Sequence, residues 1–385
     1  MIRQMREFAD GSTAMVRGAL DAGCTFFAGY PITPASPILM MMMRELPKVG
    51  GVAIQGEDEI ASIGMCIGAA MAGARAMTAT SGPGISLYSE NIGLALMGEV
   101  PLVIVDVQRM GPATGGATTT AQGDIQFARW GTAGGYPIIA LAPSSVAECY
   151  GLTRRAFALA RRFRSPVFVL TDKELNMTST TVDVEAYRRV DGDPEGAHDA
   201  ERPAAGEPEA GGGTFTPYRY DPLDGVPPMV HYGDGELLRF TGSTHDEGAF
   251  ITKDPQTVNR LNRHLAEKIE AHRDEIELVA ADLETDAQTL LVSFGITAGA
   301  MREAVRAARH DGRKVSAVTV HSLWPVPETA LRNAMRSVER VVVAELNLGQ
   351  YRREIERIGD GREIVGLNRV DGELIAPEQF LEVIR

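Results

Sequence analysis

From Asp10 to about residue 185 the apolar positions along the chain switch repeatedly between two periods. "DGSTAMVRGALDAG" spaces them as a helix does and closes on Gly23, and "CTFFAGY" follows as an apolar run of strand length. After a proline-rich turn, "ILMMMMREL" predicts a methionine-filled helix buried all round. "VAIQGEDE" then reads as a strand, and "IASIGMCIGAAMAGA" (Ile60 to Ala74) as a helix of small residues. "ARAMTAT" and "PLVIVDV" are strand-length runs on either side of a helix over "ISLYSENIGLALMG". "YPIIALA", the helix "SVAECYGLTRRAFALARRF" and "SPVFVLTD" complete the series. Such alternation predicts an α/β fold in which helices cover both faces of a parallel sheet.

The pattern stops at residues 191–213, "DGDPEGAHDAERPAAGEPEAGGG", which hold no large apolar side chain and read as a linker or exposed excursion. Residues 214 to about 285 are irregular apart from one helix over "DPQTVNRLNRHLAEKIEAHRDEIE". From Thr289 the alternation resumes with "TLLVSFG", "ITAGAMREAVRAARHDG", "KVSAVTV", "PETALRNAMRSV" and "RVVVAEL". The expected organisation is an α/β domain over 1–185, a linker and irregular segment over 186–285, and a smaller α/β domain over 286–385.

Charge narrows the function. Lys plus Arg number 38 against 51 for Asp plus Glu, a formal net charge of −13. An acidic chain repels phosphate backbones and anionic lipid, so neither nucleic acid nor a membrane surface is expected as partner. The three cysteines, Cys24, Cys66 and Cys149, are far apart and too few for a four-cysteine cluster or a disulfide framework. Together with a start, "MIRQMREFADG", that has no apolar signal region, they suggest a reducing, cytoplasmic location. The run Ile60–Ala74 is short for a bilayer, and its GMCIG spacing predicts tight packing of a buried helix.

Three places could carry chemistry. In "YPITP", Thr33 and Pro34 suit a helix N-cap and first helical position, which leaves Tyr30 and Pro31 without a structural reason. A turn at the carboxyl end of a parallel strand is also where α/β folds place ligands. In "QGEDEIA", Glu57, Asp58 and Glu59 open a helix, where its dipole favours carboxylates, but Glu59 adjoins the apolar helix body directly. The Ser81-Gly82-Pro83-Gly84 loop follows an apolar strand and permits close backbone approach by a ligand.

Taken in order, YPITP, EDEIA, ATSGPG and "VDVQRMGPATG" resemble the α subunit of 2-oxoacid:ferredoxin oxidoreductases, most closely the 2-oxoglutarate type. "RFTGSTHDEGAF" and "VVVAELNLGQ" extend the resemblance along the chain. It implies a pyrimidine-binding domain of thiamine-diphosphate enzymes followed by a transketolase C-terminal-like domain. It places Tyr30, Pro31, Thr33, Glu59, Ser81 and Gly82 at the cofactor, with Thr33 also facing the substrate. The family's glutamate, which bonds N1′ of the aminopyrimidine and acts as indirect acid/base catalyst, falls on Glu59. Its arginine falls on Arg109, whose guanidinium fork suits a 2-oxoacid carboxylate.

The family's reaction is oxidative decarboxylation of a 2-oxoacid, with acyl transfer to coenzyme A and electrons passed to ferredoxin. The resemblance assigns Mg²⁺, the cofactor diphosphate and a [4Fe-4S] cluster to a β partner, and implies a separate γ subunit. Where relatives often read PSTG this chain has Ala113, a departure that bears on the choice among 2-oxoglutarate, pyruvate and branched-chain oxoacids. A 2-oxoacid dehydrogenase-like subunit and a non-catalytic assembly subunit are the alternatives. "YGDGELL", with Asn259 downstream of Asp234, imitates a Mg²⁺-diphosphate motif but has two prolines where a strand should precede it. "THDE" lacks the i, i+4 spacing of helical metal ligands, and "GITAG" lacks GxGxxG, so no metal or dinucleotide site is expected in this chain.

Overall fold

The structure, a computed structural model, describes residues 6–183 and 215–384; the expected linker at 191–213 lies outside them. In chain order the first part contains β1 (Arg6–Ala9), α1 (Gly11–Asp21), β2 (Phe26–Gly29), α2 (Ser36–Glu45), β3 (Val52–Gln55), α3 (Glu59–Met71), β4 (Ala76–Thr80), α4 (Pro83–Leu87), α5 (Ser89–Met97) and β5 (Leu102–Gln108). It continues with α6 (Ile125–Trp130), β6 (Ile139–Leu141), α7 (Val146–Phe163), β7 (Pro166–Asp172), α8 (Lys173–Met177) and β8 (Thr180–Asp183). Beyond residue 215 come α9 (Pro255–Glu270), α10 (Arg273–Ile276), β9 (Val279–Asp282), β10 (Thr289–Ser293), α11 (Thr297–His310), β11 (Val315–Val320) and β12 (Ser322–Trp324). The last are α12 (Glu328–Met335), β13 (Arg340–Glu345), α13 (Arg352–Ile358), β14 (Glu363–Asn368) and α14 (Pro377–Val383).

Two sheets organise these elements. One runs β12-β6-β7-β5-β4-β2-β3 and the other β14-β13-β10-β11-β9. Every residue of β4, β5 and β7 is buried, as central parallel strands covered on both faces must be. The helices start where short polar side chains can satisfy orphan N–H groups: Asp10, Asp58, Ser145 and Asp254 cap α1, α3, α7 and α9.

The sheets are parallel except at their edges. β9 pairs antiparallel with β11, and β12 crosses out of the second part of the chain to pair antiparallel with β6 of the first sheet. β1 and β8 form a further two-stranded antiparallel ribbon. Gln122 ties the two large sheets together. Its amide donates to Asp172 and to the Phe294 carbonyl, and its side-chain oxygen accepts from Leu346 N–H and Thr297 Oγ1.

Three local expectations change. The methionine helix is amphipathic: Met42 is fully buried, whereas Met40 and Met43 are 71% and 43% exposed, because only one stripe of α2 meets the sheet. The helix also opens at Ser36, with Pro37 in its first turn, whereas Thr33-Pro34 forms a cis peptide ahead of it. Gly64 and Gly68 lie on the outward side of α3 with nothing within 4 Å of a Cβ among the described residues, so the two glycines of GMCIG do not mark a tight helix contact there. The buried side of α3 is the Ile63–Cys66–Ile67–Ala70 side.

Candidate active site

Sheet order brings the chemistry-bearing loops together. β5, β4, β2 and β3 are parallel neighbours, so their carboxyl ends lie along one edge. Those ends deliver Arg109 from β5, Ser81–Gly84 from β4, Tyr30–Pro34 from β2 and Glu57–Glu59 from β3. All the residues singled out in the sequence therefore sit on four adjacent strand-end loops.

The Ser81–Gly84 loop separates the two charged groups. Glu59, 6% exposed, is the first residue of α3, where the helix dipole supports its carboxylate. A Cβ on Gly84 would lie 2.9 Å from Glu59 Oε1 and 2.0 Å from Thr80 Oγ1, so only glycine permits this approach. Two residues away, Gly82 (φ +29°) faces Arg109, whose Cγ and Nε would be 3.7 and 3.9 Å from a Cβ there. The Ser81 hydroxyl is buried with no hydrogen-bond partner among the described residues.

Arg109 is almost fully buried. Its Nη1 donates to the Thr33 carbonyl at 2.5 Å and its Nη2 to the Thr114 carbonyl at 3.2 Å, while Nε has no partner among the described residues. The guanidinium thus pins the YPITP turn to the loop after β5 and keeps three of its five N–H groups for other acceptors. From the other side, Asn176 donates to the Pro34 carbonyl at 2.9 Å, which leaves Tyr30, Pro31 and Thr33 on the exposed rim. Ala113 is also exposed, in a left-handed conformation at φ +52°.

Beneath the loops lies a pair of carboxyls that the motifs did not single out. Asp106 is completely buried near the end of β5, facing the Asp124 carboxyl and the backbone of Gly82. Burial, reinforced by Asp124, pushes Asp106 well above the usual carboxylate range. Burial also pushes Asp124 up, to about 6, with Asp106 and Arg109 drawing it back. The pair therefore retains a proton at pH values where ordinary carboxyls have lost theirs. The available signal was a lone acid in the apolar run "PLVIVDVQ".

The other motifs have structural settings. Asp234 lies in an exposed turn, accepting from His231 N–H, with no strand before it, and Asn259 is exposed on α9. His245 is buried and tied to the Met97 and Asp246 carbonyls. No cluster of three His, Cys, Asp or Glu among the described residues could hold a metal ion. The three thiols are buried and free, and burial pushes Cys24 up to about 12. No helix among the described residues is long and apolar enough to cross a membrane.

Residues 17–263 match the family model "Pyruvate flavodoxin/ferredoxin oxidoreductase, thiamine diP-bdg", and residues 287–380 match "Pyruvate:ferredoxin oxidoreductase core domain II". The chain is 42% identical over 379 residues to the 2-oxoglutarate synthase subunit KorA of Methanothermobacter thermautotrophicus, covering 98% of this chain and 97% of that one. It is 34% identical over 384 residues to the ketoisovalerate oxidoreductase subunit VorB of the same organism, covering 98% and 97%. Among solved structures it superposes with TM-score 0.90 and 31% identity on a 2-oxoglutarate:ferredoxin oxidoreductase from Magnetococcus marinus with 2-oxoglutarate, coenzyme A and succinyl-CoA bound. That match covers 98% of this chain but spans only 64% of the other chain's length. A split-gene transketolase (TM-score 0.50, 11% identity) shares the fold.

Proposed function

This chain belongs to the pyruvate flavodoxin/ferredoxin oxidoreductase family and carries its thiamine-diphosphate-binding domain, and from that premise we propose that it is the α subunit of a CoA-acylating 2-oxoglutarate:ferredoxin oxidoreductase. The observation that carries the reading is the convergence of Glu59, the Ser81–Gly84 loop and the Arg109–Thr33 pair on four adjacent strand ends.

The residues fit the pyrimidine end of thiamine diphosphate. Glu59 presents a carboxyl at a glycine-only approach, and the Ser81 hydroxyl lacks a partner among the described residues. When bound, the cofactor supplies the carbon nucleophile and electron sink for decarboxylation. Glu59 holds a proton at the aminopyrimidine N1′ and so sets the ring's tautomer. Tyr30, Pro31, Ser81 and Gly82 shape the pocket around that ring. Arg109 directs its remaining N–H groups to the oxoacid carboxylate, and the exposed Thr33 hydroxyl faces cofactor and substrate together.

Mg²⁺, the diphosphate contacts and a [4Fe-4S] cluster are assigned to a β partner, since three buried cysteines cannot supply a four-thiolate cluster. A separate γ subunit and ferredoxin complete the proposed assembly, in the cytoplasm, with coenzyme A as acyl acceptor. The test is reduction of a viologen dye by the native complex with coenzyme A and a panel of 2-oxoglutarate, pyruvate and branched-chain oxoacids. 2-Oxoglutarate should give the highest kcat/KM; CoA-dependent activity that favours another oxoacid would overturn the substrate assignment. Lipoyl acylation without dye reduction would overturn the reaction.

A further inference from the structure

The loop from Met110 to Thr120 carries the Thr114 carbonyl that holds Arg109, yet its sequence, "MGPATGGATTT", offers one large apolar side chain to pack it. It folds on itself through Met110 N–H to the Thr119 carbonyl, Gly116 N–H to the Met110 carbonyl and Thr119 N–H to the Gly116 carbonyl. Its outer side meets a turn from the far end of the chain. Gly372, at φ +85°, sits so close that a Cβ there would lie 2.2 Å from Thr119 Cγ2 and 3.2 Å from Met110 Cε. That turn is itself stiff. Arg369 grips Asp371 through two hydrogen bonds of 3.0 and 2.7 Å, and Asp371 also accepts from Glu373 N–H.

We propose that the Asp371–Gly372 turn of the C-terminal α/β unit is a positioning element for substrate binding: it braces Thr119 and Met110, and through the Thr114 carbonyl fixes the orientation in which Arg109 meets the 2-oxoacid carboxylate. This rests on the reading of Arg109 given above. The line runs from Gly372 to Thr119 and Met110, through the Met110–Gly116–Thr119 hydrogen bonds of their loop to Thr114, and from its carbonyl to Arg109 and Thr33, and it crosses from one sheet unit to the other. The C-terminal unit thereby acts on the substrate end of the site. Glu59 adjoins Gly84 rather than Gly82, so cofactor binding should be disturbed less than substrate binding.

Exchange of one methyl group tests the contact. In the reconstituted complex Gly372→Ala should raise KM for 2-oxoglutarate by about five- to fiftyfold, since misplacement near 1 Å can cost up to about a hundredfold. kcat should change by less than about twofold, and thiamine diphosphate affinity should change less than KM does. Thr119→Ser, which removes the facing methyl, should raise KM more mildly, and the double variant should return close to wild type because one methyl replaces the other. Gly361→Ala is the control for backbone strain: its φ is +81°, with nothing within 4 Å of a Cβ, and its KM should match wild type. An unchanged KM in Gly372→Ala, an equal rise in Gly361→Ala, or no recovery in the double variant would overturn the brace. Should Gly372→Ala fail to assemble, an unchanged KM in Thr119→Ser overturns it instead. Arg109→Lys measured alongside separates the two readings. If KM is unchanged there, the carboxylate role of Arg109 is wrong; if it rises there and not in Gly372→Ala, the brace alone is wrong.

Discussion

Glu59 combines burial, a helix N-terminus and a neighbouring glycine, Gly84, whose missing side chain leaves room for the Glu59 carboxyl itself. Glu59→Gln keeps the shape and should leave fold and assembly intact while lowering turnover ~10²–10⁴-fold, the usual range for an acid/base partner. Viologen reduction by the complex measures this, and near wild-type turnover would remove Glu59 from the mechanism. The Asp106–Asp124 pair gives a stability prediction. Both carboxyls are raised in the folded chain, so the pair favours folding below its unfolded pKa of about 3.9. That contribution fades as pH rises through the folded value, about 6 for Asp124. Asp106 itself stands well above the usual carboxylate range, so relative to Asp106→Asn the wild type should lose stability progressively as pH rises above about 4. Urea midpoints compared at several pH values would show it; parallel curves would mean that no proton is retained.

Among the elements, α9 is fastened by a buried ion cluster. Lys268 Nζ reaches Glu99 at 2.6 Å, and His264 lies 3.2 Å from the same oxygen, all three shut off from water. Burial alone would raise the Glu99 carboxyl, but Lys268, His264 and Arg164 outweigh it and hold it well below the usual range. Lys268→Met removes the cation nearest to the buried Glu99 and leaves only His264 and Arg164 to offset its charge, and should destabilise the chain by about 3–5 kcal/mol. Chemical unfolding measures that loss, and a change under about 1 kcal/mol would mean the cluster carries little net stabilisation. This helix was legible as far as Glu270, because "DPQTVNRLNRHLAEKIE" begins with its own cap and keeps helical spacing. The expected helix ran on through "AHRDEIE", where the chain instead turns at Ala271–His272 and starts α10. Also legible was the alternation of strand and helix that leads each candidate loop off a strand end. β12 and the β1–β8 ribbon were not, since strands of three and four residues take their meaning from partners more than a hundred residues away. The same reason hid Asp124 beneath Arg109 and Gly372 against Thr119: these contacts follow from how the units meet, which no local spacing records. The outward side of α2, read from composition as buried, shows the converse error.

At the scale of the whole molecule, the chain presents the proposed pyrimidine end of a site, and its GDG sequence lies in an exposed turn. Binding through that end alone forgoes the charge-assisted Mg²⁺-diphosphate contacts, so the purified chain should bind thiamine diphosphate weakly and be colourless. Isothermal titration with cofactor and Mg²⁺ tests this. Micromolar or tighter binding by the chain alone would mean the site is divided between the wrong subunits. The pairing of β12 with β6 has a consequence during synthesis. Leu141 meets Ser322, about 180 residues later, so the β6 edge stays unpaired for roughly 9–36 s at ~5–20 residues per second. Nascent chains halted before residue 320 would carry an open apolar strand, the kind of edge that recruits other chains. Ribosome-bound chains stalled at 300 should therefore hold chaperones or sediment, and those stalled far enough past Trp324 to expose it should not. Equal behaviour of the two would mean that something else shields β6 as the protein is made.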